Sequence, residues 1–326
     1  MKAILCRAFG PPADLKLEET EKPKLGATGL RIDIHSAGLN FPDVLIVQGK
    51  YQLRPEFPFS PGAEVSGIVA EVGERVSGFA PGDRVMAVCQ TGGFAEQVVV
   101  HHGSAFKLES EMPFDAAAAM PLTYGTTYHA LVDRAKLRAG ETLLVTGAGG
   151  GVGIAAVQLG KALGATVIAA AGSPAKLEAA KAAGADHTVD YTSENLAERV
   201  KAITNQAGAG VIYDAVGGDV FDACLRAIAW EGRVLVIGFA SGRIPDIPAN
   251  RLLLKGCSAV GVYWGAFAAR DPAANRRNFD RLFELYAEGK IDPKIGRTYP
   301  LADAARAIED LENRQIVGKA VIRVRS

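Results

Sequence analysis

Cysteine is scarce in this chain of 326 residues. Its four members, Cys6, Cys89, Cys224 and Cys257, stand far apart and form no CxxC pair. That spacing excludes a disulfide framework and a zinc loop of paired cysteines, and it fits a reducing compartment. The five histidines, His35, His101, His102, His129 and His187, form no pair at metal-ligand spacing. An excess of either charge is missing too, because 36 Lys and Arg balance 36 Asp and Glu. Neither nucleic acid nor an anionic membrane then has an electrostatic claim as the main partner. No apolar run is long enough to span a bilayer, and the opening MKAILCRAFGPPADL lacks the apolar core of a signal peptide. The cytoplasm is the expected location. Internal repeats and low-complexity tracts are absent.

What is present is a large apolar fraction, 48% against 22% charged, enough for well-filled cores. The length suggests two domains. In the first third, LRIDIHSAGL alternates apolar and polar residues, as a half-buried strand does, and Gly73, Gly78, Pro81 and Gly82 punctuate Val-rich runs as turns. This reads as a compact, mostly antiparallel β domain. From about Thr142 apolar runs (TLLVTGAG, ATVIAAAG, HTVDY, VIYDAVGG, GRVLVIGF, SAVGVYW) alternate with amphipathic segments. Near-continuous apolar strands separated by helices imply a parallel sheet covered on both faces, so the fold class is α/β with a doubly wound dinucleotide-binding domain. The expected domains are residues 1–122 with 267–326, a discontinuous β domain, and residues 123–266, the parallel-sheet domain.

The run TLLVTGAG leads into GGVGIAAVQLGKALGA. The spacing Ala148-x-Gly150-x-x-Gly153 is the dinucleotide fingerprint with alanine in first place. Small residues let the chain turn sharply from strand to helix, bring backbone up to a pyrophosphate, and pack helix on strand. The phosphates then lie at a helix N-terminus, beside Gly151 and Val152. NAD enzymes carry an acid at the tip of the second strand for the ribose 2′-OH. Here the tip reads Ala170-Ala171-Gly172-Ser173, with Lys176 one turn later and Tyr191 ending the third strand. A hydroxyl, an ammonium and a phenol suit a 2′-phosphate, so the expected cofactor is NADPH.

Zinc dehydrogenases of this plan need Cys and His ligands. This chain has Asn40 in AGLNFPD and Ala63 in PGAEVSG at the corresponding places, so no metal site is expected. The stretches AGLNFPDVLIVQGKY, PGAEVSGIVAEVG, PGDRV, GGFAEQVVV, GTTYHAL, AGGGVG, YDAVGG and GRVLVIGF occur in this order over nearly the whole length. On them the chain resembles the zinc-independent medium-chain reductases of the quinone oxidoreductase (zeta-crystallin-like) group. The resemblance implies a GroES-like domain beside a Rossmann domain. It also implies roles: Asn40 beside the nicotinamide ribose, Tyr51 lining the substrate pocket, Thr126 and His129 near the cofactor, Ser173, Lys176 and Tyr191 on the 2′-phosphate, and Phe239 close to the nicotinamide. Catalytic duty falls to Asn40 and Tyr51.

Hydride transfer is the cofactor's own chemistry, and the protein supplies orientation and polarity. A quinone needs no strong acid, and Asn40 or a tyrosine suits a developing oxyanion. NADPH-dependent reduction of small quinones is the leading expectation. Reduction of an activated C=C in an enone or an enoyl/acryloyl-CoA is the first alternative, and Arg54, Arg270, Arg276 and Arg277 are the basic residues a CoA would call on. A structural or RNA-binding role, as a crystallin-like protein, is the alternative of another class. The resemblance further implies a homodimer or homotetramer, with SAVGVYW as the pairing edge strand.

Overall fold

The computed structural model describes residues 1–108 and 111–325. The chain divides into two compact units, Met1–Leu122 with Pro293–Ser326, and Thr123–Asp292.

In the first unit the long strand Gly29–Leu39 is the hub of a seven-stranded sheet. It pairs antiparallel with Glu64–Val72 along most of its length, with Gln97–His101 at its start, and with Lys319–Arg323 at its end. The only parallel pair among the described strands of this sheet joins Ile295–Pro300 to Lys319–Arg323. Alternating Leu30, Ile32 and Ile34 are fully buried and anchor a core that includes Val65, Val85, Phe94 and Ile322. The mostly antiparallel β domain expected from the sequence is present, and its strand Lys319–Arg323 begins beside Asn40.

The second unit carries six parallel strands, β1 (Thr142–Thr146), β2 (Thr166–Ala171), β3 (His187–Asp190), β4 (Ala209–Asp214), β5 (Ile228–Val236) and β6 (Ser258–Gly261). Their order in the sheet is β3-β2-β1-β4-β5-β6, so the winding reverses between β1 and β4. That is the point where doubly wound sheets bind ligands, at the carboxyl ends of the strands. Helices α1 (Gly151–Ala162), α2 (Pro174–Ala182), α3 (Leu196–Ile203) and α4 (Gly218–Ala227) follow β1 to β4 in turn.

One boundary differs from the expectation. The chain returns to the first unit at Pro293, not at residue 267. The intervening helix Pro272–Ala287 buries Asn275, Phe279, Leu282 and Leu285 within the second unit. Trp264 Nε1 donates to Asn275 Oδ1 at 2.9 Å, and the rings of Trp264 and Phe279 crowd Gly125, where a Cβ would come within 3.1 Å of both. The amphipathic face was legible, but the sheet it would cover was not.

Both ends of this unit meet at one side chain. Tyr124 Oη donates to Gln158 Oε1 at 2.7 Å. Gln158 also exchanges two hydrogen bonds with the backbone of Asp292, each 2.9 Å. Gln158 lies on α1 and is buried.

Candidate cofactor and active site

The glycine turn follows β1 directly. Gly147 takes φ +61°, a value that favours glycine, and its carbonyl accepts from Gly150 N at 3.0 Å. Helix α1 begins at Gly151, and its first interior bond runs from Ile154 N to Gly150 O at 2.8 Å. The N–H groups of Gly151, Val152 and Gly153 form the opening turn, which has no carbonyl of its own helix to donate to. The turn's glycines serve different ends. A Cβ on Gly153 would strike Gly147 O and come within 2.7 Å of Ala148 Cα, so this residue lets helix and strand close up. A Cβ on Gly149 would come within 2.7 Å of Lys176 Cα. At Gly150 a Cβ would meet only Gly147 O, at an ordinary 3.5 Å. Nothing in the chain itself demands glycine at 150, whereas a phosphate approaching the backbone would.

The structure gathers the residues expected around the 2′-phosphate. Ser173 opens α2 in extended conformation, and its hydroxyl makes no cap bond to that helix. Lys176, one turn on and half-buried, backs onto Gly149. The half-buried Tyr191 ring lies over Gly172, where a Cβ would be 3.0 Å from Cε2. The glycine turn, the tip of β2 and the end of β3 thus share one corner of the sheet. Sequence reading passed over one acid here. Asp190, in register with Ala171, turns its carboxylate onto Thr192 N (2.9 Å) and Thr192 Oγ1 (2.6 Å), bonds that hold it below the usual carboxylate range.

Asp214, at the end of β4, was also passed over although it stands in YDAVGG. It is 1% exposed, and burial raises its carboxyl above the ordinary value. It accepts from Thr146 Oγ1 (2.5 Å), Gly217 N (3.0 Å) and Val216 N (3.3 Å), and so ties β1 to the turn after β4. Phe239 packs on that turn, its Cδ1 3.1 Å from where a Cβ on Gly217 would lie. Thr126 is half-buried on the helix Pro121–Tyr128, next to Thr127, whose hydroxyl shares a 2.9 Å bond with Tyr213 Oη. His129 is buried. Its Nδ1 pairs with Asp133 at 2.7 Å, and its ring stacks on Phe267 with centroids 4.0 Å apart. These contacts give it a packing role in its own unit.

In the first unit Asn40 stands at the end of the hub strand and begins the helix Phe41–Val47. Its backbone N–H donates to Asp43 Oδ2 at 2.8 Å, and Asp43 Oδ1 accepts from Gly62 N at 3.2 Å. Its side chain turns the other way. Lys319 Nζ donates to Asn40 Oδ1 (2.5 Å), and Asn40 Nδ2 donates to Glu64 Oε1 (2.8 Å) and weakly to Gly38 O (3.4 Å). Lys319 also pairs with Glu64 Oε1 at 2.5 Å, and Leu122 N donates to Glu64 Oε2 at 2.7 Å. Gly38 is what lets the carboxylate pass: a Cβ there would come within 2.7 Å of Glu64 Cδ. Glu64 and Lys319 are 0% and 5% exposed, and neither was singled out from the sequence. A charged strand residue 255 positions from its partner gives no local signal. Tyr51 is half-buried and packs against the core of this unit. The carbonyl of Ala63 accepts from Cys89 N at 2.9 Å, and among the described residues no group of three His, Cys, Asp or Glu is placed to hold a metal ion.

Residues 26–110 match the alcohol dehydrogenase GroES-like domain, and residues 151–284 match the zinc-binding dehydrogenase family. A quinone oxidoreductase-like protein 2 homolog from Nematostella vectensis is 44% identical over 98% of this chain and 88% of its own. A quinone oxidoreductase structure from Pseudomonas syringae pv. tomato is 33% identical, covers 99% of both chains and has a TM-score of 0.92. An Escherichia coli quinone oxidoreductase, solved in complex with NADPH, is 29% identical over 99% of this chain and 100% of its own, also with a TM-score of 0.92.

Proposed function

Because the chain belongs to the zinc-independent medium-chain oxidoreductases of the quinone oxidoreductase group, we propose that it is an NADPH-dependent reductase of small quinones. The carrying observation is the corner where the glycine turn, Ser173, Lys176 and Tyr191 meet. There the chain's own packing explains glycine at 149 and 153 but not at 150. The solved E. coli relative in complex with NADPH supports the same reading. When bound, the dinucleotide supplies the hydride. The first-turn N–H groups of α1 and its dipole would hold the pyrophosphate. Ser173, Lys176 and Tyr191 would take the 2′-phosphate by charge-assisted bonds. Asp214 fixes the turn on which Phe239 packs. Asn40 would contact the nicotinamide ribose and the reacting oxygen, and Tyr51 the acceptor. A quinone's reduced oxygens are stabilised by its own ring, so the polar groups need only orient it and support the developing charge.

The test is turnover with NADPH against 1,4-benzoquinone, an enone and an enoyl thioester, with ethanol and NADP as a further arm. The quinone is expected to be reduced fastest and ethanol left untouched. A strong preference for the thioester would replace the quinone as substrate, and robust ethanol oxidation would overturn the reading. We propose further that the chain is a homodimer built on β6.

A further inference from the structure

We propose that Lys319, together with Glu64, is a positioning residue that sets which end of the Asn40 amide faces the bound ligand. The inference rests on the role given to Asn40 above. A primary amide can turn over by 180° with almost no steric difference, so only its hydrogen-bond partners decide the orientation. Here the two partners allow one answer. An ammonium has only donors and must face Oδ1; Lys319 Nζ does so at 2.5 Å. An ionised carboxylate has only acceptors and must face Nδ2; Glu64 Oε1 does so at 2.8 Å. The flipped amide would set N–H against ammonium and oxygen against carboxylate, with every group buried.

The two readers are themselves fixed. They pair with each other at 2.5 Å, and Leu122 N holds the far oxygen of Glu64 at 2.7 Å. The Asn40 backbone is pinned separately by Asp43. On its donor side the amide has its second N–H left, committed only to the long 3.4 Å contact with Gly38 O. Because Oδ1 is turned to the ammonium, what Asn40 presents on its Nδ2 side is a donor. A donor is what a carboxamide oxygen or a developing oxyanion needs. This also gives the strand Lys319–Arg323, whose first residue is 279 positions from Asn40, a part in positioning that amide.

The test is a double-mutant cycle on the full-length enzyme. Removing Lys319 alone would strand a buried carboxylate, so the paired variant Glu64→Gln/Lys319→Met is used, with Glu64→Gln alone as an isosteric second variant. Both are expected to lower kcat with 1,4-benzoquinone, the paired variant by on the order of 100-fold as for a misplaced catalytic group, while the Kd for NADPH and Tm change little. In an Asn40→Ala background neither should lower kcat further, and with Asn40 intact the single variant Lys319→Arg, still donor-only, should keep turnover near wild type. Additive losses in the presence and absence of Asn40, or a paired variant with wild-type kcat, would overturn the assignment. Wild-type protein that reduces no quinone would instead sink the proposed function. The orientation itself is read without turnover: solvent exchange of the Asn40 side-chain amide, slow in wild type and in Lys319→Arg, should become fast in the paired variant, and slow exchange there refutes it.

Discussion

A methyl group at position 150 and one at position 153 meet different surroundings. At 150 it touches one carbonyl at van der Waals distance, with φ −91° and ψ 172°, a conformation open to alanine. At 153 it is driven into backbone that cannot turn aside. Gly153→Ala is therefore expected to lose about 1–3 kcal/mol of stability, read by denaturant unfolding. Gly150→Ala should stay within about 1 kcal/mol of wild type and yet lose NADPH binding. Lys176→Ala keeps the Cβ that backs onto Gly149 and removes only the stem and ammonium. It should weaken NADPH by roughly ten- to a hundred-fold, for a charge-assisted bond of ~1.5–3 kcal/mol, and leave NADH almost unchanged. Equal losses for both dinucleotides would place the 2′-phosphate elsewhere. Asp43 makes a pH prediction. Burial pushes its carboxyl up to about 7 from 3.8, with Glu64 adding to the rise, while Lys319 and the N–H groups of Asn40 and Gly62 oppose it. Between those values the folded chain keeps a proton that the unfolded chain has released, so this group makes stability fall as pH climbs through the window and level off above it. Asp43→Asn should flatten that part of the Tm-against-pH curve, and an unchanged slope would refute the assignment. The fingerprint and the trio proposed for the 2′-phosphate are legible in the sequence because each lies at or just past the end of a strand that the chain itself marks out. Glu64, Lys319 and Asp214 act through partners brought to them by pairing across strands, which no local pattern displays.

At the scale of elements, β1, β2 and β4 are legible because they are buried almost throughout and read as nearly unbroken apolar runs, whereas the edge strands β3 and β6 are only half-buried and rely on their place in the alternation of strand and helix. The helix Pro272–Ala287 was assigned to the wrong unit, because amphipathic spacing says that one face is covered and not by what. The strand β6 holds the end of the sheet, with one flank paired to β5. Nearby segments expose large apolar residues, Leu253 at 79%, Leu254 at 73% and Tyr263 at 65%. An edge strand beside exposed leucines is a site for a second copy related by a two-fold axis. Sedimentation equilibrium is expected to give twice the chain mass, and a Leu253→Glu/Leu254→Glu variant to give the chain mass alone. A wild-type monomer would dismiss the pairing.

For the whole molecule, the second unit is a continuous stretch of 170 residues, Thr123–Asp292, set into a first unit whose own chain is thereby interrupted. The clasp at Gln158 brings the two ends of that stretch onto one side chain, through Tyr124 and Asp292. An insert whose ends close on themselves asks its host only for a short gap, so host and guest can be exchanged by joining them at 122/123 and 292/293, where the units divide. The segment from 123 to 292, expressed alone, should fold cooperatively and retain dinucleotide binding without turnover, and Gln158→Ala should cost it more stability than it costs the intact chain, where the host already holds the ends. Gln158 is in this sense the seam of the inserted segment: one side chain closes the guest on itself, so that its boundary is drawn by its own bonds rather than by its host's.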